Sequence, residues 1–547
     1  MKRYLFLILL LFVQIISFCQ YRIDWQNCYG TIHQDYVAGI VETNDGFLLE
    51  GTIINTAYTW STGILIKINS EGDTIWQTTY DKILDLCQIH NSDYIIMYPD
   101  TLLYPGTHFG NIGLRKIDAD RNTIWEKAYG NEFGMTKGNF MGCATSDGGY
   151  VGCSSYSYAG GDISHYWGGS ADVWVIRVDN NGDMVWETSV GTTGCEFVNN
   201  IQQTDDGGFL MAITNIVPGT GNMMCEEHQK VNGIPYLVKL DPNGNVEWSI
   251  CYGSDHYYTN IYGFIVLEDG YLLYGETTAD DGDFEGAGYH LGYHAGMSTH
   301  PRLSDVYLMK IDFDFNIIWC RCYGGRGDEF PTKVFQNDDG GFTVFAATKS
   351  IDGDVQSYNR LPYDPHYYIG FVSCVSWIFR VDHNGELLWE RVTGGNYDSA
   401  QTYPRDVIKH NDKEYTIASQ MTYYEPGWET YDINCPYNAN MPGSGINFWV
   451  YHITDTFDYD NVGEIEDNKN VVGLEIHPNP ARDILNISFA DDSECQSVEI
   501  YAIDGRLLKT QIDNFDKINI ADLTSGLYLI KVRMNDGAEF TERIVKE

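Results

Sequence analysis

The chain has 547 residues and a net charge of −42 from 76 acidic and 34 basic side chains, and its aromatic content is 14% with 40 tyrosines. A field of that sign repels phosphate backbones and sets nucleic acid aside as a partner, while leaving carboxylates free for divalent cations. So many aromatics argue against disorder and for half-buried strands, and the length suits two or three domains or one large repeat fold.

Lys2 and Arg3 precede an apolar run from Tyr4 to Ile16 that only Gln14 interrupts. Ser17 and Cys19 then put small residues where a signal peptidase reads, so residues 1–19 read as a signal peptide. The run is too short to span a bilayer as a helix. A lipoprotein is the alternative, but a lipobox takes a small residue before its cysteine and Phe18 stands there. No later segment is long and apolar enough to be a span, so no transmembrane segment is expected in the mature chain.

From residue 20 to about 455 the chain repeats. Tryptophans recur at Trp25, Trp76, Trp125, Trp186, Trp248, Trp319 and Trp389, and six of the seven follow an alternating strand, an Asp or Asn, and a turn. VWVIRVDNNGDMVW, ending at Trp186, and YLVKLDPNGNVEW, ending at Trp248, show the pattern. Tyr-Gly or a variant comes next, then a strand, Asp-Gly or Asp-Gly-Gly (Asp147-Gly148-Gly149, Asp206-Gly207-Gly208, Asp339-Gly340-Gly341), and another strand. Alternation predicts strands, and Asn-Gly or Asp-Gly supplies the positive φ that tight turns need. Two hairpins per 49 to 71 residues, repeated, predict an all-β fold: a β-propeller of four-stranded blades. The strand at Trp25 lacks a partner before it, and the last unit ends at FWVYHITD without a tryptophan strand. The N-terminal strand is therefore expected to complete the final blade, which gives seven blades, with six or eight as alternatives because the second unit is degenerate.

Twelve of the thirteen cysteines follow Cys19. Cys28, Cys251 and Cys322 each stand three residues after a tryptophan and before Tyr-Gly, an equivalence that predicts small buried hydrophobes rather than disulfides. Cys143 and Cys153 flank a predicted turn and are expected near each other, with pairing left open.

The strand order puts loops between second and third strands on one face together with the blade-to-blade connections. Long insertions fall there, at roughly 157–172, 216–235, 279–305, 350–370 and 424–446, rich in Tyr, His, Gly and Asp. That face is the candidate site. His290, His294 and His300 offer three imidazoles for zinc, without a helix to set their spacing. Asp281, Asp283, Asp352 and Asp354 offer clustered oxygens for calcium, but lack the length and terminal Glu of an EF-hand loop; turn-forming acids are the other reading. Otherwise no cofactor is expected. Trp167, Tyr289, Tyr293, His294, Tyr367 and Tyr368 are candidate ligand-binding residues, the aromatics as platforms for sugar rings. No H-E-x-x-H, G-x-S-x-G or Gly-Lys-Ser/Thr phosphate loop is present.

The D-x-N-G-x-x-x-W turn resembles the Asp-box hairpin of sialidase-type propellers, with one residue more between glycine and tryptophan; in that family it is structural. After Asp455 an acidic stretch, residues 456–470, reads as a linker. Residues 471–547 return to short alternating strands. Pro478-Asn479-Pro480 in IHPNPARDILNI, Asp504-Gly505-Arg506 in VEIYAIDGRLL, Gly526 and Tyr528 in INIADLTSGLYLIKV, and the terminal ERIVKE stand in that order. These blocks resemble the type A sorting domain of type IX secretion in Bacteroidetes. The resemblance implies a small immunoglobulin-like β-sandwich, passage through the Sec system and periplasm, and export by the type IX secretion machinery to the cell surface or medium. For the propeller, a non-catalytic scaffold for a glycan, peptide or protein is expected, and a polysaccharide hydrolase or lyase is the alternative.

Overall fold

A computed structural model describes residues 21–31, 33–54, 61–80, 85–88, 93–100, 111–131, 140–217, 220–223, 233–291, 302–355, 357, 374–394, 400–423, 445–455, 474–477, 481–489, 495–502, 507–512, 517–521, 523, 526–534 and 539–546. The chain forms two compact units, one of residues 23–454 and one that holds residues 455–547.

The larger unit is a β-propeller. Among the described residues it contains seven four-stranded antiparallel sheets. Sheets 1 to 6 occupy residues 34–80, 85–129, 141–190, 195–251, 259–323 and 329–393 in chain order. Sheet 7 joins Ala400–Asn411, Glu414–Tyr423 and Gly445–Asp455 to the N-terminal strand Tyr21–Tyr29. Trp449 Nε1 donates to Gln26 Oε1 across that seam at 3.0 Å, and Trp25 stacks on His452. The first strand of each sheet touches the first strands of its two neighbours, and the ring closes where Ala400–Asn411 meets Gln34–Thr43.

Each sheet presses both faces against neighbours, so its middle strands are apolar on both sides. Asp172–Val178, Ile234–Leu240 and Val375–Val381 are buried almost throughout. The cores lie between sheets: Val173 and Val175 of sheet 3 pack with Val198 and Phe209 of sheet 4, and Leu210 and Leu237 of sheet 4 with Ile261 and Leu273 of sheet 5.

The repeated turn before each tryptophan is one device. The side chain of Asn69, Asp118, Asp179, Asp241, Asp312 or Asp382 accepts the backbone N–H four residues on, at 2.7–2.8 Å. Only the residue before that N–H has positive φ: Gly72, Arg121, Gly182, Gly244, Phe315 or Gly385. It lies against the tryptophan of the preceding sheet. Trp125, Trp186 and Trp319 donate their Nε1 to carbonyls of Asn180, Pro242 and His383 in the next sheet's turn. The tyrosine four residues after a tryptophan reaches the same turn, as Tyr252 and Tyr323 do to Phe315 O and Gly385 O at 3.0 and 2.6 Å. The sequence repeat is thus a clamp between neighbouring sheets. Where glycine is missing, the side chain joins in: Arg121 lies 4.7 Å over Trp76, and the Phe315 and Trp248 rings are 4.8 Å apart.

A Cβ at Gly244 would sit 2.8 Å from Trp186 Cε3 while φ is +86°. Gly244→Val is therefore expected to cost about 3 kcal/mol, from left-handed strain and displacement of the indole. A urea-unfolding midpoint unchanged from wild type would contradict the clamp.

The cysteine expectation needs correction. Cys322 is a buried free thiol, but Cys28 and Cys251 are disulfide-bonded. Those two are only half-buried on outermost strands, so equivalence in the repeat did not bring equivalent cover. Cys143 and Cys153 lie on adjacent strands, opposite Val151 and Met141, and both are thiols rather than disulfide-bonded.

The smaller unit packs a sheet of Leu474–His477, Ile484–Phe489 and Lys517–Asn519 with one of Leu507–Gln511, Cys495–Ala502, Gly526–Met534 and Glu539–Lys546. Leu485, Ile487 and Ile518 from the first meet Val498, Ile500, Ile530, Val532 and Ile544 from the second, a small β-sandwich. Tyr528 is buried there, and Gly526 begins its strand at φ +159°. Pro478, Asn479, Pro480, Asp504 and Gly505 lie outside the described residues.

Candidate functional site: the loop face and the inner strands

The described loops of the predicted face are held down from within. In sheets 3 to 6 the loop after the second strand brings an Asp or Asn onto the glycine that ends the preceding sheet. The carboxylates of Asp162, Asp283 and Asp354 accept the N–H of Gly130, Gly253 and Gly324 at 2.9, 2.8 and 3.1 Å. Asn222 does the same for Gly191 at 2.9 Å. Each of the four returns its own N–H to that glycine's carbonyl. An amide replaces a carboxylate in this clamp, so its work is hydrogen bonding and needs no charge.

The acids considered for calcium fall in these loops. Asp283 and Asp354 are clamp residues. Asp281 accepts from Ser254 Oγ and contacts His256 Nδ1 at 2.5 Å, and Asp352 accepts from Arg326 N and Nε at 2.9 and 2.5 Å. Among the described residues no three His, Cys, Asp or Glu side chains gather as a metal cluster. His290 donates its backbone N–H to Asp305 Oδ2 at 2.7 Å, and its Nδ1 lies 3.0 Å from the same oxygen. Burial alone would lower its pKa, but Asp305 overrides burial and lifts it to about 9, so the imidazole is a cation at neutral pH. His294, His300, Tyr293, Tyr367 and Tyr368 lie outside the described residues. Trp167 is half-buried: its backbone N–H donates to Asp172 Oδ2 at 2.6 Å and its ring Nε1 to Ser189 O at 3.3 Å; the Tyr289 hydroxyl donates to Leu303 O at 2.5 Å. The Trp167 ring nitrogen thus meets the outermost strand of sheet 3, and the Tyr289 hydroxyl meets its own loop.

Beneath the loops sit buried carboxyl pairs. Asp172 with Glu196 and Asp305 with Glu329 are inaccessible to solvent. Burial lifts all four pKa values, Asp305 to about 6 and Glu329 to about 8. Asp172 Oδ1 and Glu196 Oε2 are buried without a donor although the two side chains are hydrogen-bonding neighbours, so a proton between them completes the pair.

A different group lies at the inner strands. Five first strands carry one extra residue, a β-bulge, at Ala38, Asn199, Tyr262, Thr332 and Arg405. Bulges re-aim side chains, and on strands around the axis they aim them at the central channel. Asn199 Nδ2 donates to Ile261 O at 2.7 Å and Thr332 Oγ1 to Pro404 O at 2.8 Å, tying one sheet to the next. Tyr262 and Arg405 do not. Tyr262 lies in the field of Glu276, Tyr403, Tyr258 and Arg405. The Arg405 guanidinium lies 4.7 Å over the Tyr403 ring, whose centroid is 6.3 Å from Phe330; Lys349 Nζ lies 5.4 Å over Phe330 and 2.9 Å from Asp328. Burial lifts Glu276 to about 7 and Tyr258 to about 12, and pushes Tyr262 and Tyr403 above the usual phenol range, so the phenols remain donors. Sequence reasoning missed this group because a bulge inside an alternating strand leaves no motif.

The chain is similar in fold to the Neurospora crassa Pan2 WD40 domain (9% identity, 80% of this chain and 96% of that one, TM-score 0.38) and to the β-propeller domain of the Trilobed protease from Pyrococcus furiosus (8%, 74% and 98%, TM-score 0.37). A eukaryotic initiation factor also matches (10% identity, 63% of this chain, TM-score 0.29), and the chain spans 62% of its length, less than two thirds. No curated protein matches. Residues 475–547 match the family described as Secretion system C-terminal sorting domain, which marks the chain as a β-propeller protein addressed to type IX secretion.

Proposed function

We propose that the protein is an exported binding propeller of a Bacteroidetes cell. In this reading residues 1–19 lead it to the periplasm, the sorting domain takes it to the surface or medium, and the propeller offers its loop face and channel to an extracellular ligand without transforming it. One observation supports binding over hydrolysis. A glycosidase needs two carboxyls roughly 5–10 Å apart and open to substrate, whereas the close pairs here, Asp172 with Glu196 and Asp305 with Glu329, have no exposed surface. The acids of the overlying loops are committed to backbone N–H groups, His and Arg. Calcium at Asp281, Asp283, Asp352 and Asp354 belongs to the same reading only as a loop stabiliser. The test is incubation of purified protein with a polysaccharide panel, scoring both retention on immobilised glycan and release of reducing or unsaturated ends. Retention without product is expected; product formation abolished by substitution of an acid of the second strands such as Glu276 would replace this reading with an enzyme.

A further inference from the structure

Among the described residues Arg405 has no carboxylate within ion-pair distance, in a chain with 76 acidic side chains. Arg115, Arg177, Arg302, Arg321, Arg326, Arg380 and Arg533 each hold one. Arg405 is also exposed, although it stands mid-strand at the inner edge of sheet 7, where solvent means the channel. The neighbouring Asp406 is occupied by Lys333 Nζ at 3.0 Å and Ile40 N at 3.2 Å. Gln420 Oε1 accepts from Arg405 Nε and Nη2 at 3.3 and 3.1 Å, and Tyr403 supports the guanidinium face. The Gln420 side chain is itself buried, so it fixes the fork. What remains is the end-on Nη1/Nη2 edge, the geometry that takes a carboxylate in two parallel hydrogen bonds.

Beside it stand Tyr403, under the guanidinium, and Tyr262, within reach of its charge, and neither hydroxyl has a hydrogen-bond partner among the described residues. Aromatic faces with free hydroxyls suit a sugar ring, which offers C–H surface and hydroxyls together. A peptide carboxylate would instead call for backbone amides turned toward it. The net charge of −42 repels a long polyanion, which leaves the end of a short acidic chain as the fitting ligand.

Resting on the binding role proposed above, we propose that the channel between sheets 5 and 7 binds a terminal uronate of an acidic oligosaccharide, with Arg405 gripping the carboxylate and Tyr262 and Tyr403 donating to the sugar. The test is titration calorimetry of the full chain with short galacturonate, mannuronate and guluronate oligomers, their methyl esters and neutral oligohexoses, alongside a peptide with a free C-terminal carboxylate. At least one uronate oligomer is expected to bind and its methyl ester to bind at least tenfold more weakly. Arg405→Ala should lose at least tenfold. Arg405→Lys, which keeps charge but not the fork, should recover only part, and Tyr262→Phe should lose a few fold. Unchanged melting temperatures show that the variants fold, and Tyr262→Phe, which removes one oxygen, serves if Arg405→Ala does not. If no uronate binds, or binding ignores both Arg405 and esterification, the inference is overturned. Neutral oligosaccharide bound independently of Arg405 would sink it while leaving the binding role intact. Peptide binding lost in Arg405→Ala would overturn the sugar in favour of a peptide end. Conversion of any oligomer would instead refute the binding role.

Discussion

Deleting residues 471–547 is expected to keep the protein in the periplasm, while the full chain reaches the surface or medium of a type IX-competent host. The effect should be close to all-or-none, because the sorting domain is an address read by machinery. The physical ground for a clean result is that each unit has its own core. Residues 23–454 form one compact unit whose apolar clusters lie between its own sheets, and the β-sandwich buries Leu485, Val498, Ile530 and Val532 among themselves. Among the described residues each of these clusters is therefore drawn from its own unit. Fractionation with a blot for the propeller, and circular dichroism of the truncated protein, check it. Equal export of both forms would reduce residues 471–547 to an ordinary sandwich module.

Much of the fold was legible because its signals are periodic. Alternation with an Asp-x-x-Gly turn specifies hairpins, and a tryptophan at the same place in each unit has one job, covering the next turn. Arg121 and Phe315 show how far the pattern can drift while the turn holds. The sorting domain was legible because four separated blocks agree in order. The site was less so. Gly161-Asp162, Gly221-Asn222, Gly282-Asp283 and Gly353-Asp354 are one repeated clamp, but insertions of unequal length hide their equivalence, and acids beside glycine look like calcium ligands. Asn222, which fills the same place with an amide, is the signal that the clamp works by hydrogen bonding. The disulfides at Cys28 and Cys251 escaped because repeat equivalence predicts packing and is silent about chemistry. Tyr262 and Arg405 escaped because pleat direction is read by counting in twos, and a bulge breaks the count without marking the sequence.

Stability of the propeller is expected to fall as pH rises from about 5 to about 9. The groups responsible are buried carboxyls whose folded pKa values exceed their unfolded ones: Asp35 and Asp305 at about 6, Glu276 at about 7, Glu329 at about 8, and the Asp172–Glu196 pair, all raised chiefly by burial. A group of this kind contributes stability that is complete below its unfolded pKa near 4 and is lost as pH passes its folded pKa. His290, lifted to about 9 by Asp305, adds a loss of the same sign at the alkaline end. Asp45, Asp147 and Asp206, lowered by Lys, Arg and Thr partners, act oppositely and only in acid, so the optimum falls near pH 4–5. Glu196→Gln isolates one contributor. Its Oε can still accept from Thr192 Oγ1 as Glu196 does, and its amide gives Asp172 Oδ1 a donor that pH cannot remove. The variant should match wild type within about 0.5 kcal/mol at pH 5 and exceed it by about 2 kcal/mol at pH 8.5, the order expected when one buried carboxyl no longer ionises. Urea-unfolding midpoints at the two pH values measure the difference. A wild-type midpoint that climbs between pH 5 and 8.5, or a variant that keeps the full slope, would show that the pair carries no shared proton and that its burial is relieved on ionisation.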